Sequence, residues 1–215
     1  MSLGEYEDFV YKACLVDQAD PVGLWSAEGA RQKKLVAYFQ GKKDVHLKGP
    51  YADLRLSIAG RSFILSDGHF NLPDGEVFTS PVEDSAEGWI RFSYPLIYGG
   101  REVIDVVLRL EKGRIVQEKA AKGQEMLSAM LDTDAGSRYL GEWGIGTNYA
   151  IQQLTRNMLF DEKIGGTIHM AVGFGFPEAG SVNKSGIHWD MLCDMRQGEI
   201  TVDGEVIYRD GNFIL

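Results

Sequence analysis

Hydrophobic positions near the start of the chain recur at helical spacing, then shift to a period of two. In YEDFVYKACLV, Tyr6, Phe9, Val10, Ala13 and Cys14 share one helical face. DQADPVG reads as a turn, and SAEGARQKKLVAYFQG as a second helix with Ser26 as N-cap and Gly41 as stop. Beyond Gly41, DVHLKG, DLRLSIAG, RSFILSDG and GEVFTSP alternate or run apolar between Gly, Pro and Asp, which predicts short strands. EGWIRFSYPLIYGG and REVIDVVLRLEKGRIVQEKAA predict longer strands, with a hairpin turn at Lys112-Gly113. KGQEMLSAMLDTD predicts a helix, and NYAIQQLTRNMLF another capped by Asn148. GGTIHMAVGFG is a strand bounded by glycines, and QGEITVDGEVIYRDGNFIL a meander turning at its Asp-Gly pairs. No repeat, low-complexity tract or long linker interrupts the pattern. The expected fold class is α+β, mostly antiparallel strands with a helical N-terminal segment and a few short helices.

Composition narrows the function classes. The 215 residues suffice for one large domain or two small ones. Net charge is -9 without a basic block, so the phosphate-binding footprint of a nucleic-acid partner is missing. An acidic balance suits cationic substrates or metal ions, although solubility alone more often accounts for it. Cys14 and Cys193 form no CxxC motif and no disulfide framework, as expected of reduced thiols in a cytoplasmic protein. No apolar run reaches the roughly 18 residues of a membrane helix. MSLGEYEDFVYK carries acids where a signal peptide needs basic residues. Residues 1–3 read as a cloning scar, with the natural chain expected to begin further upstream.

Candidate chemistry lies in strand-like segments. In SGIHWDMLCD, His188 and Asp190 are two apart and share a face, with Ile187, Trp189 and Met191 opposite. In GTIHMAVG, His169 shares a face with Thr167 and Ala171. Either histidine alone is more readily a hydrogen-bonded core residue. Glu76 in PDGEVFTSP and Glu142 in YLGEWGIGTN sit among apolar neighbours, where a carboxylate is costly unless paired or bound to a cation. The plain alternative for each is an exposed strand edge. Two Glu, two His and one Asp would suit a pair of metal ions sharing carboxylates. Spacing leaves the convergence of these five open.

NLPDGEVFTSPVED, YLGEWGIGTN, NMLFDEKIGGTIHMAVG and IHWDMLCDMR resemble the thermophilic metalloaminopeptidase family, which includes aminopeptidases T and S. The similarity runs from about Tyr6 to the end. It implies a metal-dependent aminopeptidase acting on peptides with a free N-terminus, a homodimer, and two divalent metal ions, zinc, cobalt or manganese. Carried over by motif, the metal ligands are Glu76, Glu142, His169, His188 and Asp190, with Glu142 also the general base. The resemblance makes residues 1–215 the metal-binding catalytic and dimerisation region of a longer protein with an additional N-terminal α/β domain. Two departures stand out. Phe176 occupies the position, seven after His169, where the family has a tyrosine thought to assist catalysis. A phenyl ring donates no hydrogen bond, and Tyr94 and Tyr149 are candidate substitutes. The second is length: the family's additional N-terminal α/β domain has no counterpart in these residues, and the segment between His169 and His188 is also shorter than in some relatives. Phe176 and the missing N-terminal portion motivate an alternative function: a catalytically impaired metal-binding or dimerisation domain, inactive as a fragment.

Overall fold

The computed structural model describes residues 2–215. Helix α1 (Leu3–Ala13) opens with a capping box: Ser2 Oγ accepts from the Glu5 backbone N–H, and the Glu5 carboxylate accepts from that of Ser2. Helix α2 (Pro21–Phe39) begins earlier than predicted. Asp20, not Ser26, is its N-cap, accepting from the Gly23 N–H at 2.9 Å. Pro21 takes the first position, where a missing N–H costs nothing.

The chain continues through β1 (Asp44–Gly49), β2 (Ala52–Ser57), β3 (Ile64–Ser66), β4 (Glu76–Thr79), β5 (Glu87–Phe92), β6 (Leu96–Tyr98) and β7 (Arg101–Val103). Next come β8 (Val106–Glu111), β9 (Arg114–Lys119), α3 (Gln124–Leu131), β10 (Leu140–Gly146), α4 (Met158–Asp161), β11 (Thr167–Gly173) and β12 (His188–Asp194). Strands β13 (Glu199–Val202), β14 (Glu205–Arg209) and β15 (Asn212–Phe213) close it. An eight-stranded sheet runs β15-β14-β13-β1-β2-β5-β8-β9, a five-stranded sheet runs β12-β11-β10-β4-β3, and β6-β7 form a separate hairpin. The strand pairs are antiparallel, so the predicted α+β class holds.

The large sheet follows the period of two: in β2, Ala52, Leu54 and Leu56 are buried while Asp53 and Arg55 are exposed. Its inner residues share one core with Trp143, Ile145, Met170 and Met191 of the smaller sheet. Strands β10 and β11 are buried along their whole length. One face meets that core and the other faces the polar cluster described below. Among the described residues no helix is long and apolar enough to cross a membrane.

Two further predictions are corrected. EGWIRFSYPLIYGG is broken into β5 and β6 around Pro95, which has no ladder donor. NYAIQQLTRNMLF is not a helix: only Met158–Asp161 is helical, and its N-cap is Asn157. Asn148 Oδ1 accepts from the Ala150 N–H at 3.0 Å, as a cap would, but its amide also donates to the carbonyls of Ala13 (3.0 Å) and Asp74 (2.9 Å), tying α1 to the start of β4. These long-range bonds, with Arg156 at φ 65, outweigh local helix preference.

Candidate metal centre

The five residues singled out by sequence lie on four neighbouring strands: Glu76 on β4, Glu142 on β10, His169 on β11, and His188 and Asp190 on β12. Small residues opposite them leave room for their side chains. Glu76 pairs with Gly146, His169 with Gly144, and Asp190 with Ala171. A Cβ on Gly144 would lie 2.1 Å from the His169 ring. The face of Glu142 depends on a β-bulge between Leu140 and Glu142. The extra residue, Gly141, lets Leu140 enter the core while Glu142 turns to the histidines. No larger residue fits the bulge, since a Cβ on Gly141 would lie 2.1 Å from the Phe174 carbonyl oxygen.

The side chains converge tightly. His169 Nε2 lies 3.2 Å from Glu76 Oε2 and 3.3 Å from Glu142 Oε1. His188 Nε2 lies 3.1 Å from Glu142 Oε2 and 3.4 Å from Asp190 Oδ2. Each ring is oriented from behind. His169 Nδ1 donates to the Glu162 carbonyl (3.1 Å) and His188 Nδ1 to that of Phe174 (2.8 Å), which leaves Nε2 facing inward. Two buried carboxylate oxygens, Glu76 Oε2 and Asp190 Oδ1, have no hydrogen-bond partner among the described residues; the contact of Glu76 Oε2 with His169 is close but poorly aligned for one. Buried orphan oxygens are costly, and a cation would satisfy them. The donors form two groups that could each hold an ion, Glu76 with Glu142 and His169, and Glu142 with His188 and Asp190, sharing Glu142. Imidazole and carboxylate donors fit zinc, manganese and cobalt.

Burial pushes the carboxyls of Glu76 and Asp190 well above the usual range. Burial would also raise Glu142, but hydrogen bonds and charge from both histidines prevail and hold it low. Burial alone would lower the imidazoles; the hydrogen bond to Glu142 and the nearby carboxylates outweigh it, raising His169 to about 10 and His188 to about 9.

The cluster opens into a cavity of about 460 Å³ with an apolar wall of Ile64, Phe70, Phe78 and Phe176 and acidic groups at Glu162 and Glu178. Two cavities of similar size, about 490 and 530 Å³, lie against α2 and contain none of the five residues. Phe176 stands edge-on to His188, with ring centroids 5.1 Å apart. Neither candidate substitute for the missing hydroxyl lines this cavity: Tyr94 accepts from Arg196, and Tyr149 donates to the Gly211 carbonyl. The other two histidines pair elsewhere, His46 with Asp53 and His69 with Asp67. Pattern reading missed Lys163, which is fully buried and donates to Glu76 Oε1 at 3.2 Å. Its segment, DEKIGG, resembles any polar turn.

Comparison with known proteins shows the family. Residues 1–213 match the thermophilic metalloprotease (M29) family. Aminopeptidase T of Thermus aquaticus is 38% identical over 231 residues, covering 94% of this chain and 55% of that protein. Aminopeptidase AmpS of Bacillus subtilis is 32% identical over 238 residues, covering 95% and 58%. The chain therefore spans a little over half the length of these relatives. The solved structure of wild-type AmpT from Thermus thermophilus superposes with a TM-score of 0.83 at 28% identity, covering 97% of this chain and 58% of that one. A 2,5-dihydroxypyridine dioxygenase from Pseudomonas putida KT2440, with a TM-score of 0.67 at 20% identity over 84% of this chain and 57% of its own, shares the fold alone. Matched along nearly its whole length, this chain belongs to the thermophilic metalloprotease (M29) family.

Proposed function

We propose that this chain is the metal-binding catalytic region of a metal-dependent aminopeptidase that removes N-terminal residues from peptides. One observation carries the reading: five metal-ligand side chains from four adjacent strands meet in one buried cluster that leaves two carboxylate oxygens without partners. In this reading Glu76, Glu142 and His169 hold one divalent ion and Glu142, His188 and Asp190 a second, each zinc, cobalt or manganese. Bound there, such ions lower the pKa of water and polarise the scissile carbonyl. Glu142, set between both histidines, carries the proton from water to the leaving amine. Glu162 and Glu178 attract the ammonium of a free N-terminus, and the phenyl wall packs its side chain. Homodimerisation and a cytoplasmic setting belong to the same proposal.

The test is hydrolysis of leucine p-nitroanilide by metal-depleted protein given cobalt, zinc or manganese. Activity should return with ions and fall by roughly 100-fold or more in Glu142→Gln, the usual worth of a positioned proton carrier. Unchanged turnover in that variant would remove Glu142 from the mechanism. Phe176 favours a second reading, a metal-binding domain with little turnover, because no hydroxyl stands beside His188 at that position. Ion uptake without hydrolysis would select it.

A further inference from the structure

A lysine with no solvent exposure is uncommon, because its charge is costly to bury unpaired. Lys163 is such a residue. It lies between α4 and β11, and its ammonium meets three carboxylates: Glu162 Oε1 at 2.5 Å, Glu76 Oε1 at 3.2 Å and Asp74 Oδ1 at 3.9 Å. Asp74 is held independently, accepting from the backbone N–H groups of Gly68 and Gly75. Glu76 has no such backbone tether among the hydrogen bonds of the described residues. Its Oε1 is taken by Lys163, and its Oε2 is left unpartnered beside His169. A free carboxylate could turn either or both oxygens to a cation. The lysine removes that choice.

Resting on the ligand set proposed above, we infer that Lys163 is a positioning residue: it holds Oε1 of Glu76 so that Oε2 alone faces the ion shared with Glu142 and His169. Groups that orient a ligand in this way are typically worth 10- to 100-fold in ion affinity. Removing the lysine also removes its repulsion of the ion, which acts in the opposite sense. Orientation dominates here because loss of Lys163 leaves Oε1 buried without a donor and free to swing. Among the described residues Asp190 has no lysine counterpart in the second group. The effect is therefore confined to one of the two ions.

The experiment is a titration of the metal-depleted 215-residue chain with cobalt alone, followed by visible absorption. Lys163→Met is expected to weaken one of two binding steps by about 10- to 100-fold and to spare the other. The same change made in Glu76→Gln should alter cobalt binding by no more than about twofold, because the lysine acts through Glu76. Equal losses in both backgrounds would reveal a merely structural role and overturn the inference, as would unchanged or tighter binding in Lys163→Met. Should Lys163→Met not fold, Lys163→Gln takes its place: weakening of one step that disappears in the Glu76→Gln background supports the inference, and equal losses in both backgrounds overturn it. A crystal structure of the unaltered protein with cobalt decides without any variant. Oε2 alone on the ion, with Oε1 still on Lys163, supports the assignment; both oxygens on the ion refute it. If the unaltered chain takes up no cobalt, or Glu76→Gln binds it normally, the proposed ligand set fails and this inference with it. Normal uptake with a silent Lys163 refutes the lysine's role alone.

Discussion

Adding a divalent ion should raise the melting temperature of this chain, by an amount that the ion's excess over its Kd and the chain length set together. The donors come from positions 76 to 190 and meet only in the folded state, so an unfolded chain offers no comparable site. An ion at one hundred times its Kd that binds only the folded form adds about 2.7 kcal/mol. Domains of roughly 150–250 residues shift by about 2–4 °C per kcal/mol, so one ion should raise the midpoint by about 5–11 °C and two by about twice that. The assay is thermal unfolding followed by circular dichroism, in a chelator and then in excess cobalt, zinc or manganese. The rise should vanish in Glu76→Gln combined with Asp190→Asn, which disables a carboxylate of each group. It should also shrink as pH falls, because His169 and His188, raised to about 10 and about 9, hold protons that an incoming ion must displace. A midpoint indifferent to ions, or a rise that survives in the double variant, would refute the reasoning.

Three further outcomes are expected. Gly144→Ala places a methyl where the His169 ring lies, 2.1 Å away, so ion uptake should fall and stability drop by about 1–3 kcal/mol, the usual cost of overpacking; normal uptake by isothermal calorimetry would contradict this. Phe176→Tyr puts a hydroxyl beside His188, and if that group serves as an oxyanion donor, hydrolysis of leucine p-nitroanilide should rise by up to about 100- to 1000-fold; no rise would indicate that Phe176 does not limit turnover. Asp134 is held down to about 2, first by the Gly186 N–H and also by Ser137 and Ser185, which anchors the segment leading into β12. Its folded pKa lies below the ordinary 3.8, so its stabilisation is complete above 3.8 and is lost as pH falls toward about 2. Asp134→Asn should flatten the melting temperature against pH in that window, and an unaltered slope would count against the assignment.

How much of the site could be read in advance differs from residue to residue. His188 and Asp190 share a face because strand geometry alternates side chains, a local property that needs only their spacing. His169 could be placed on the polar side of β11 in the same way. Glu142 could not, because its direction depends on the bulge at Gly141, and that bulge depends on how β10 pairs with β11. Lys163 gave no signal either, since a buried lysine and a solvated one look alike in a polar turn. The segment after Asn148 misled for a related reason: Asn148 Oδ1 accepts from the Ala150 N–H as a cap would, but the amide is also tied to the distant carbonyls of Ala13 and Asp74 and the backbone turns to positive φ at Arg156, so no helix follows.

The sequence alone determined the α+β class, most strand positions, the hairpin and meander turns, and the five residues whose chemistry suits a metal centre. Only the tertiary structure decided that those five meet, that Glu142 lies between the two histidines, and that a lysine stands behind Glu76. Alternation and turn preference are imposed by the backbone over a few residues. Convergence depends on strand order, register and competition for hydrogen bonds between segments far apart in the chain, and no local pattern records these.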